Sequence, residues 1–236
     1  IWDHFEEICE SVNPDYFSRL HERLNPKWFI EAVSLLEGTA TLRRRRLPAE
    51  QVIWLVLGMA IFRHRPIREV ADKLGLALPK SGCGVTVAPS ALAQARTRLG
   101  EAPVKWIFEE TSRAWVHASE RAHAWRGLAV YGIDGSQVRV ADTGDNDKHF
   151  GRHHSGENAT ASGYPLMRIV TLLGWRSRLI ASARFGAFDV SELTYAKDIF
   201  DQTLPKQSLV IMDRLYQAST ILVPYFDEAN ERHFLV

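Results

Sequence analysis

The chain contains only two cysteines among its 236 residues, Cys9 and Cys83, which are too far apart to form a disulfide framework or a zinc ligand set. No apolar run reaches the eighteen residues of a membrane span, and the start shows no signal-peptide pattern. The glycine motifs that bind ATP or NAD phosphates are also missing. These absences favour a protein of the reducing cytoplasm whose chemistry uses neither nucleotide.

The charge is distributed unevenly along a chain of ordinary globular composition, 46% hydrophobic and 24% charged. Residues 38–100 hold eleven Lys or Arg and three acids, a net charge of +8. Residues 127–236 hold eleven basic and thirteen acidic side chains, a net charge of −2. The basic segment is suited to a polyanion such as nucleic acid, whereas the later segment concentrates carboxylates.

The first 126 residues have the pattern of a helical domain. Asn-Pro pairs at positions 13 and 25, and prolines at 48 and 66, mark helix starts, and a longer helix is predicted over about residues 103–123. Glycines at positions 38, 75 and 100 are typical of helix ends. We therefore predict an all-α N-terminal domain over residues 1–126.

From residue 127 the hydrophobic period changes to that of an α/β domain, predicted over residues 127–236. The predicted strands are residues 128–133, 137–141, 166–173, 178–186, 208–212 and 232–236. Helices are expected on either side of the fifth strand, and residues 142–165 have the composition of a polar loop. The chain stops on the apolar run RHFLV, so we expect a fragment of a longer protein.

Two of the apolar runs end in an aspartate: Asp134 follows Leu128–Ile133, and Asp213 follows Leu209–Met212. Chemistry gathers at strand ends in α/β sheets. If the two strands are neighbours, the carboxylates meet, and a hard cation such as Mg²⁺ would relieve their repulsion. The alternative is structural, with Asp134 starting a tight turn and Asp213 capping the next helix. Spacing alone leaves both interpretations open.

The stretches IDGSQVRVADTGDNDKHFG and IMDRLY together resemble the core of DDE transposases of the insertion-sequence-four type. The Asp-Gly pair, Asn146, the Phe150-Gly151 pair and the Asp213-Arg214 pair carry the likeness. The helical stretches FSRLHERLNPKWFIEAVSLL and RRRRLPAEQVIWLVLGMAIFRHRPIREVADKLGL extend it over almost the whole chain. Leu215-Tyr216 stands where that family has Gly and an aromatic residue, which weakens the match of this turn.

The resemblance implies a ribonuclease-H-like core, incomplete here, in which Asp134 and Asp213 are the first two acids of a triad that binds two Mg²⁺ or Mn²⁺ ions. It also implies hydrolysis at the element end and attack of the freed 3′ hydroxyl on target DNA. The third acid, a Glu in a Tyr-Arg-Glu-Lys segment, is not found, because Glu228 and Glu231 follow Asp213 too closely. We therefore expect this fragment alone to be inactive.

The helical domain is expected to bind the terminal inverted repeats, in a homodimer, with an affinity that falls as salt rises. Two short helices loosely resemble a helix-turn-helix, although the loop between them is long; a plain helical bundle with a solvated basic face is the alternative. The predicted DNA contacts are Arg43, Arg44, Arg45, Arg46, Arg68, Arg96 and Arg98 in the helical domain, and Arg152 and Arg214 in the core.

Three further interpretations stay open. The protein could be a non-catalytic DNA-binding remnant or regulator, or a simple metal-dependent nuclease of the same fold. His149, His153 and His154 make a zinc site conceivable, although no fourth ligand is near.

Glu192, at the start of a predicted helix, is interpreted as a charge favoured by the helix dipole. We expect a bacterial, cytoplasmic and nucleoid-associated protein.

Overall fold

The computed structural model describes residues 20, 22–36, 47–76, 87–153, 163–226, 229 and 231–236. The chain divides into two compact units, Ile1–Glu110 and Thr111–Val236. Three of the predicted features lie wholly or mostly outside the described residues: the helix from Asn13, the glycine stop at Gly38, and the run Arg43–Arg46. Within the part of the chain that is described, no helix is both long and apolar enough to cross a bilayer.

Every regular element of the first unit within the described residues is a helix. Its helices begin where the sequence predicts. The first one, for example, is capped by Asn25, which accepts a hydrogen bond from the Lys27 backbone N–H at 3.0 Å, and Pro26 lies in its first turn. The helices are α1 (Pro26–Ser34), α2 (Ala49–Ile61), α3 (Ile67–Lys73), α4 (Pro89–Leu99) and α5 (Ala102–Thr111), the last of which ends in the second unit.

The core of this unit forms around α2, which packs against α1, α3 and α4. Phe29 of α1 stacks on Trp54 with ring centroids 4.6 Å apart. Gly58 of α2 permits close contact with α3, since a Cβ there would lie 2.8 Å from Leu74 Cδ1. The unit is therefore held together by apolar side chains, including the fully buried Ile53 and Leu92.

The second unit opens with the rest of the helical segment predicted over residues 103–123, which the structure confirms. A π-helical turn over Ser112–His117 leads into α6 (Ala118–Ala122). The elements that follow are β1 (Ala129–Arg139), α7 (Gly144–Phe150), β2 (Leu166–Gly174), β3 (Ile180–Ala187), α8 (Glu192–Gln202), β4 (Ser208–Ile211), a 3-10 helix (Arg214–Gln217), α9 (Ser219–Tyr225) and β5 (Arg232–Leu235).

The described strands form one mixed sheet in the order β3-β2-β1-β4-β5. β1 pairs antiparallel with β2, and β2 pairs antiparallel with β3. β4 lies parallel to β1 on its other side, and β5 lies parallel to β4. The predicted α/β class of this part of the chain is thereby confirmed.

Two local predictions were wrong. Residues 128–133 and 137–141 are not separate strands, because β1 continues through Gly135 and Ser136 and pairs with β2 from Tyr131 to Arg139 without a break. Asp134 therefore does not start a tight turn. The predicted loop over residues 142–165 contains the helix α7, which Thr143 caps by accepting a hydrogen bond from the Asn146 backbone N–H at 3.2 Å.

Helix α8 packs on β2 and β3 and completes the core of the second unit. Ser191 caps its start by accepting a hydrogen bond from the Leu193 backbone N–H at 3.2 Å. Its inner face buries Ile199 and Phe200 in the same cluster as Tyr131 and Val170. This packing fixes the first turn of α8, including Glu192, over the middle of the sheet.

Candidate active site

Asp134 lies within β1, and Asp213 lies two residues after the end of the neighbouring strand β4. The parallel ladder between β1 and β4 runs from the Ala129–Ser208 pair to the Gly132–Ile211 pair, a constant offset of 79 residues. The same offset separates Asp134 from Asp213, and the backbone at Asp213 is still extended (φ −84°, ψ 178°). Both aspartates lie two residues beyond the last pair of this ladder, so an extension of its register at the usual strand spacing of about 5 Å would bring them side by side.

Each aspartate is exposed, and each uses one oxygen for a local backbone hydrogen bond. Asp134 Oδ1 accepts from the Gly135 N–H at 2.8 Å, and Asp213 Oδ1 accepts from the Leu215 N–H at 2.9 Å. Asp213 thus caps the 3-10 helix, as the structural interpretation predicted. Such a cap leaves the second carboxylate oxygen available to a ligand.

This donor set is suited to a divalent cation, because Mg²⁺ takes oxygen ligands from one or two carboxylates and completes its shell with water and substrate phosphate. No group of three His, Cys, Asp or Glu side chains is placed to hold a metal ion within the ranges that the structure describes. The candidate centre therefore consists of two protein carboxylates.

Tyr216 of the 3-10 helix that follows Asp213 is fully buried in the core of the second unit. Burial raises the pKa of its hydroxyl above the usual range, and the negative charges of Glu192, Asp134 and Asp213 raise it further, in that order. The phenol is therefore neutral at ordinary pH. Its hydroxyl lies in the electrostatic field of three carboxylates, two of which are the candidate metal ligands.

Sequence reasoning gave Glu192 a smaller role than its contacts indicate. It does begin α8, as predicted, but its carboxylate also receives hydrogen bonds from two other elements. Arg168 Nη1 of β2 donates to Oε1 at 2.5 Å, and Tyr216 Oη donates to Oε2 at 3.5 Å. The side chains of Arg168 and Glu192 are 16% and 18% exposed. Nothing in the local sequence around Glu192 signals these partners, which are 24 residues away on either side.

Comparison with known proteins shows the family to which this chain belongs. A family model described as "Insertion element 4 transposase N-terminal" matches residues 14–109. A relative named "Transposase InsG for insertion sequence element IS4", from Escherichia coli K12, is 36% identical over 84% of this chain. A second, from the same organism and named "Putative transposase InsZ", is 31% identical over 91% of this chain. The chain belongs to the insertion-sequence-four family of transposases.

The chain spans 44% of the length of InsG and 69% of the length of InsZ. The similarity to both relatives runs through most of the residues described above. The family that the sequence motifs predicted is thereby confirmed.

The two arginines of the second unit that are predicted to contact DNA, Arg152 and Arg214, have different surroundings. Arg152 forms ion pairs with Asp142 and with Asp147, the latter at 2.7 Å, and it donates to the Gly163 carbonyl oxygen at 3.2 Å. These contacts hold the two ends of the segment around α7. Arg214 is exposed directly after Asp213. A phosphate contact at either arginine stays a prediction.

In the first unit, Arg68 of α3 and both Arg96 and Arg98 of α4 are exposed. Arg96 Nη1 also contacts Met59 Sδ at 3.7 Å. The run Arg43–Arg46 lies outside the described residues. Helices α3 and α4 pack against each other, which is compatible with the predicted two-helix DNA-binding element. DNA binding by these residues stays a prediction.

The histidines weighed as a zinc site lie beside aromatic rings. His149 meets Phe150 with ring centroids 4.7 Å apart, and His153 meets Phe188 at 5.6 Å, both edge-on. His154 lies outside the described residues. Their described contacts are thus those of packed side chains next to the sheet.

Proposed function

We propose that this chain forms the DNA-binding domain and the first part of the catalytic core of a DNA transposase. The activity is metal-dependent cleavage at the transposon ends followed by strand transfer into target DNA. The observation that carries the proposal is the parallel register of β1 and β4, whose offset of 79 residues also separates Asp134 from Asp213 two residues beyond the last pair. The sheet order β3-β2-β1-β4-β5, with β4 and β5 parallel to β1, supports a ribonuclease-H-like core.

Asp134 and Asp213 would hold Mg²⁺ or Mn²⁺ through their exposed oxygens. When bound, the cations supply activation of the attacking oxygen and stabilisation of the leaving 3′ oxygen. The carboxylates fix where the phosphodiester is held, and Arg214 beside Asp213 would contact its phosphate. The proposal assigns the third acid to a Tyr-Arg-Glu-Lys segment that is to be sought in the full-length protein.

Residues 1–126 would bind the terminal inverted repeats, and residues 127–236 would provide the catalytic part. The net charge of +8 over residues 38–100 supports DNA as the partner. Each phosphate contact made by an arginine would displace counterions, so end binding should weaken as salt rises. Cleavage and joining of two ends would take place in a homodimer.

The test uses the full-length protein with labelled transposon ends and Mg²⁺. We expect Asp134→Asn and Asp213→Asn each to abolish cleavage while end binding is retained, because the change removes a ligand charge and leaves the side-chain volume unchanged. The matched control is Asp198→Asn in α8, which removes a carboxylate paired with Arg184 on the same sheet. The control should cleave normally, and normal cleavage by either site variant would contradict the proposal.

The same assay separates the alternatives. Cleavage without joining by the unmodified protein would indicate a simple metal-dependent nuclease. Specific end binding without cleavage would indicate a regulator or a catalytically inactive remnant. Joined products that depend on both aspartates are the result that the transposase proposal requires.

A further inference from the structure

We infer that Glu192 is a positioning residue for the divalent-cation site, acting through Tyr216 and across Gly135 on the strand that carries Asp134. The inference rests on the proposed function, since it assumes that Asp134 and Asp213 bind the cation. It gives Glu192 a supporting role that no sequence motif indicates, and it leaves Asp134 and Asp213 as the two cation ligands.

The Glu192 carboxylate is held from two sides. Arg168 of β2 donates to one oxygen at 2.5 Å, and Tyr216 of the 3-10 helix donates to the other at 3.5 Å. Arg168 is itself fixed, because its Nε donates to the Phe188 carbonyl oxygen at 3.1 Å. Glu192 thus ties α8 both to the sheet and to the short helix that begins directly after Asp213.

Glu192 also lies directly against β1 at the residue next to Asp134. A Cβ added at Gly135 would lie 2.2 Å from Glu192 Oε2 and 2.4 Å from its Cδ. Those distances are far below van der Waals contact, so only a residue without a side chain leaves room for this carboxylate. The Asp-Gly pair of β1 therefore has a structural reason: the aspartate faces the candidate cation site, and the glycine makes room for Glu192.

The arrangement also determines which carboxylate the buried phenol of Tyr216 can donate to. Tyr216 has one hydroxyl proton, and the carboxylate that it contacts within hydrogen-bond distance is Glu192. With that proton directed to Glu192, the oxygens of Asp134 and Asp213 stay available for a cation. Groups that orient metal ligands without touching the metal commonly change affinity by about 10-fold or more when they are removed.

The experiment measures Mn²⁺ binding by the full-length protein, with Mn²⁺ alone as the probe and the free ion detected by electron paramagnetic resonance. We expect Asp213→Asn to lose most of the binding and Glu192→Gln to weaken it about 10-fold. Tyr216→Phe should weaken it to a smaller extent in the same direction. Asp198→Asn, which removes another ion-paired carboxylate from α8, should bind like the unmodified protein.

The outcomes separate the two proposals. Equal Mn²⁺ affinity in Asp213→Asn and the unmodified protein would overturn the proposed site and this inference together. Loss of binding in Asp213→Asn, with Glu192→Gln matching Asp198→Asn, would overturn only the role of Glu192. A loss of the same size in Glu192→Gln and Asp198→Asn would also overturn it, because the effect would then be one of stability. If Glu192→Gln does not fold, unchanged affinity in folded Tyr216→Phe is the refuting result.

Discussion

Replacement of Gly135 by alanine tests the geometry beside Asp134 through the stability of the fold. The new Cβ would lie 2.2 Å from Glu192 Oε2, 2.4 Å from Cδ and 3.0 Å from Cγ. All three atoms belong to one side chain, whose carboxylate is held by Arg168 at 2.5 Å. The Glu192 side chain must move away, and its ion pair with Arg168 must break or lengthen.

The size of the effect follows from the burial of that ion pair. Exposed ion pairs contribute at most about 1 kcal/mol, whereas loss of one partner of a fully buried pair costs about 3–5 kcal/mol. The Arg168 and Glu192 side chains are 16% and 18% exposed, between those limits. We therefore expect Gly135→Ala to lower the free energy of unfolding by about 2 kcal/mol, with a fall in Tm of about 4–8 °C for a chain of this size.

A double-mutant cycle isolates the contact. Gly135→Ala should cost about 2 kcal/mol in the unmodified background and much less in Glu192→Ala, because the collision is then absent. Gly144→Ala is the matched control, since nothing lies within 4 Å of a Cβ at that position. Denaturant unfolding monitored by tryptophan fluorescence gives the four free energies. Equal costs of Gly135→Ala in both backgrounds would refute the reasoning.

Three further predictions concern other parts of the chain. In Gly174→Ala the new Cβ would lie 2.6 Å from Oε1 of the buried Glu120, which accepts hydrogen bonds from the turn after β2. The free energy of unfolding should therefore fall by about 2 kcal/mol. An unchanged denaturation midpoint would contradict this. Burial, helped by nearby arginines, lowers the pKa of His117 below 6.5, so the folded state favours the neutral ring. The free energy of unfolding should therefore keep its full value above pH 6.5 and fall as the pH drops below it. His117→Gln should flatten that dependence in denaturation series at several pH values. Arg98→Ala should reduce, by about 1, the slope of the log binding constant for transposon ends against log salt concentration. The same slope in the variant and the unmodified protein would contradict a phosphate contact by Arg98.

Local sequence signals predicted most of the elements correctly, because their causes are local. The Asn25-Pro26 pair contains both the cap and the fixed backbone angle of a helix start, and α1 begins there. The alternation of apolar residues likewise located β2, β3 and β4. The run before Asp213 correctly placed that aspartate just after a strand, whereas Asp134 lies in the middle of β1 and not at its end. Which strands are neighbours depends on the order of the sheet.

The errors have a common physical origin in partners that are distant in the sequence. Gly135 and Ser136 have turn propensity, but β2 supplies an unbroken set of partners across from them, and the strand continues. Glu192 has the signature of a favourable charge at a helix start, whereas its position is set by Arg168 and Tyr216, each 24 residues away. Contacts of this kind are formed by the tertiary fold, so a window of neighbouring residues carries no signal for them.

The central claim is that Asp134 and Asp213 lie close enough to share a divalent cation, and a crystal structure of the full-length protein soaked in Mn²⁺ tests it most directly. The account predicts an anomalous-scattering peak within about 2.1 Å of a carboxylate oxygen from each of the two aspartates. A peak bound elsewhere, or two carboxylates directed away from each other so that no single ion reaches both, would contradict it.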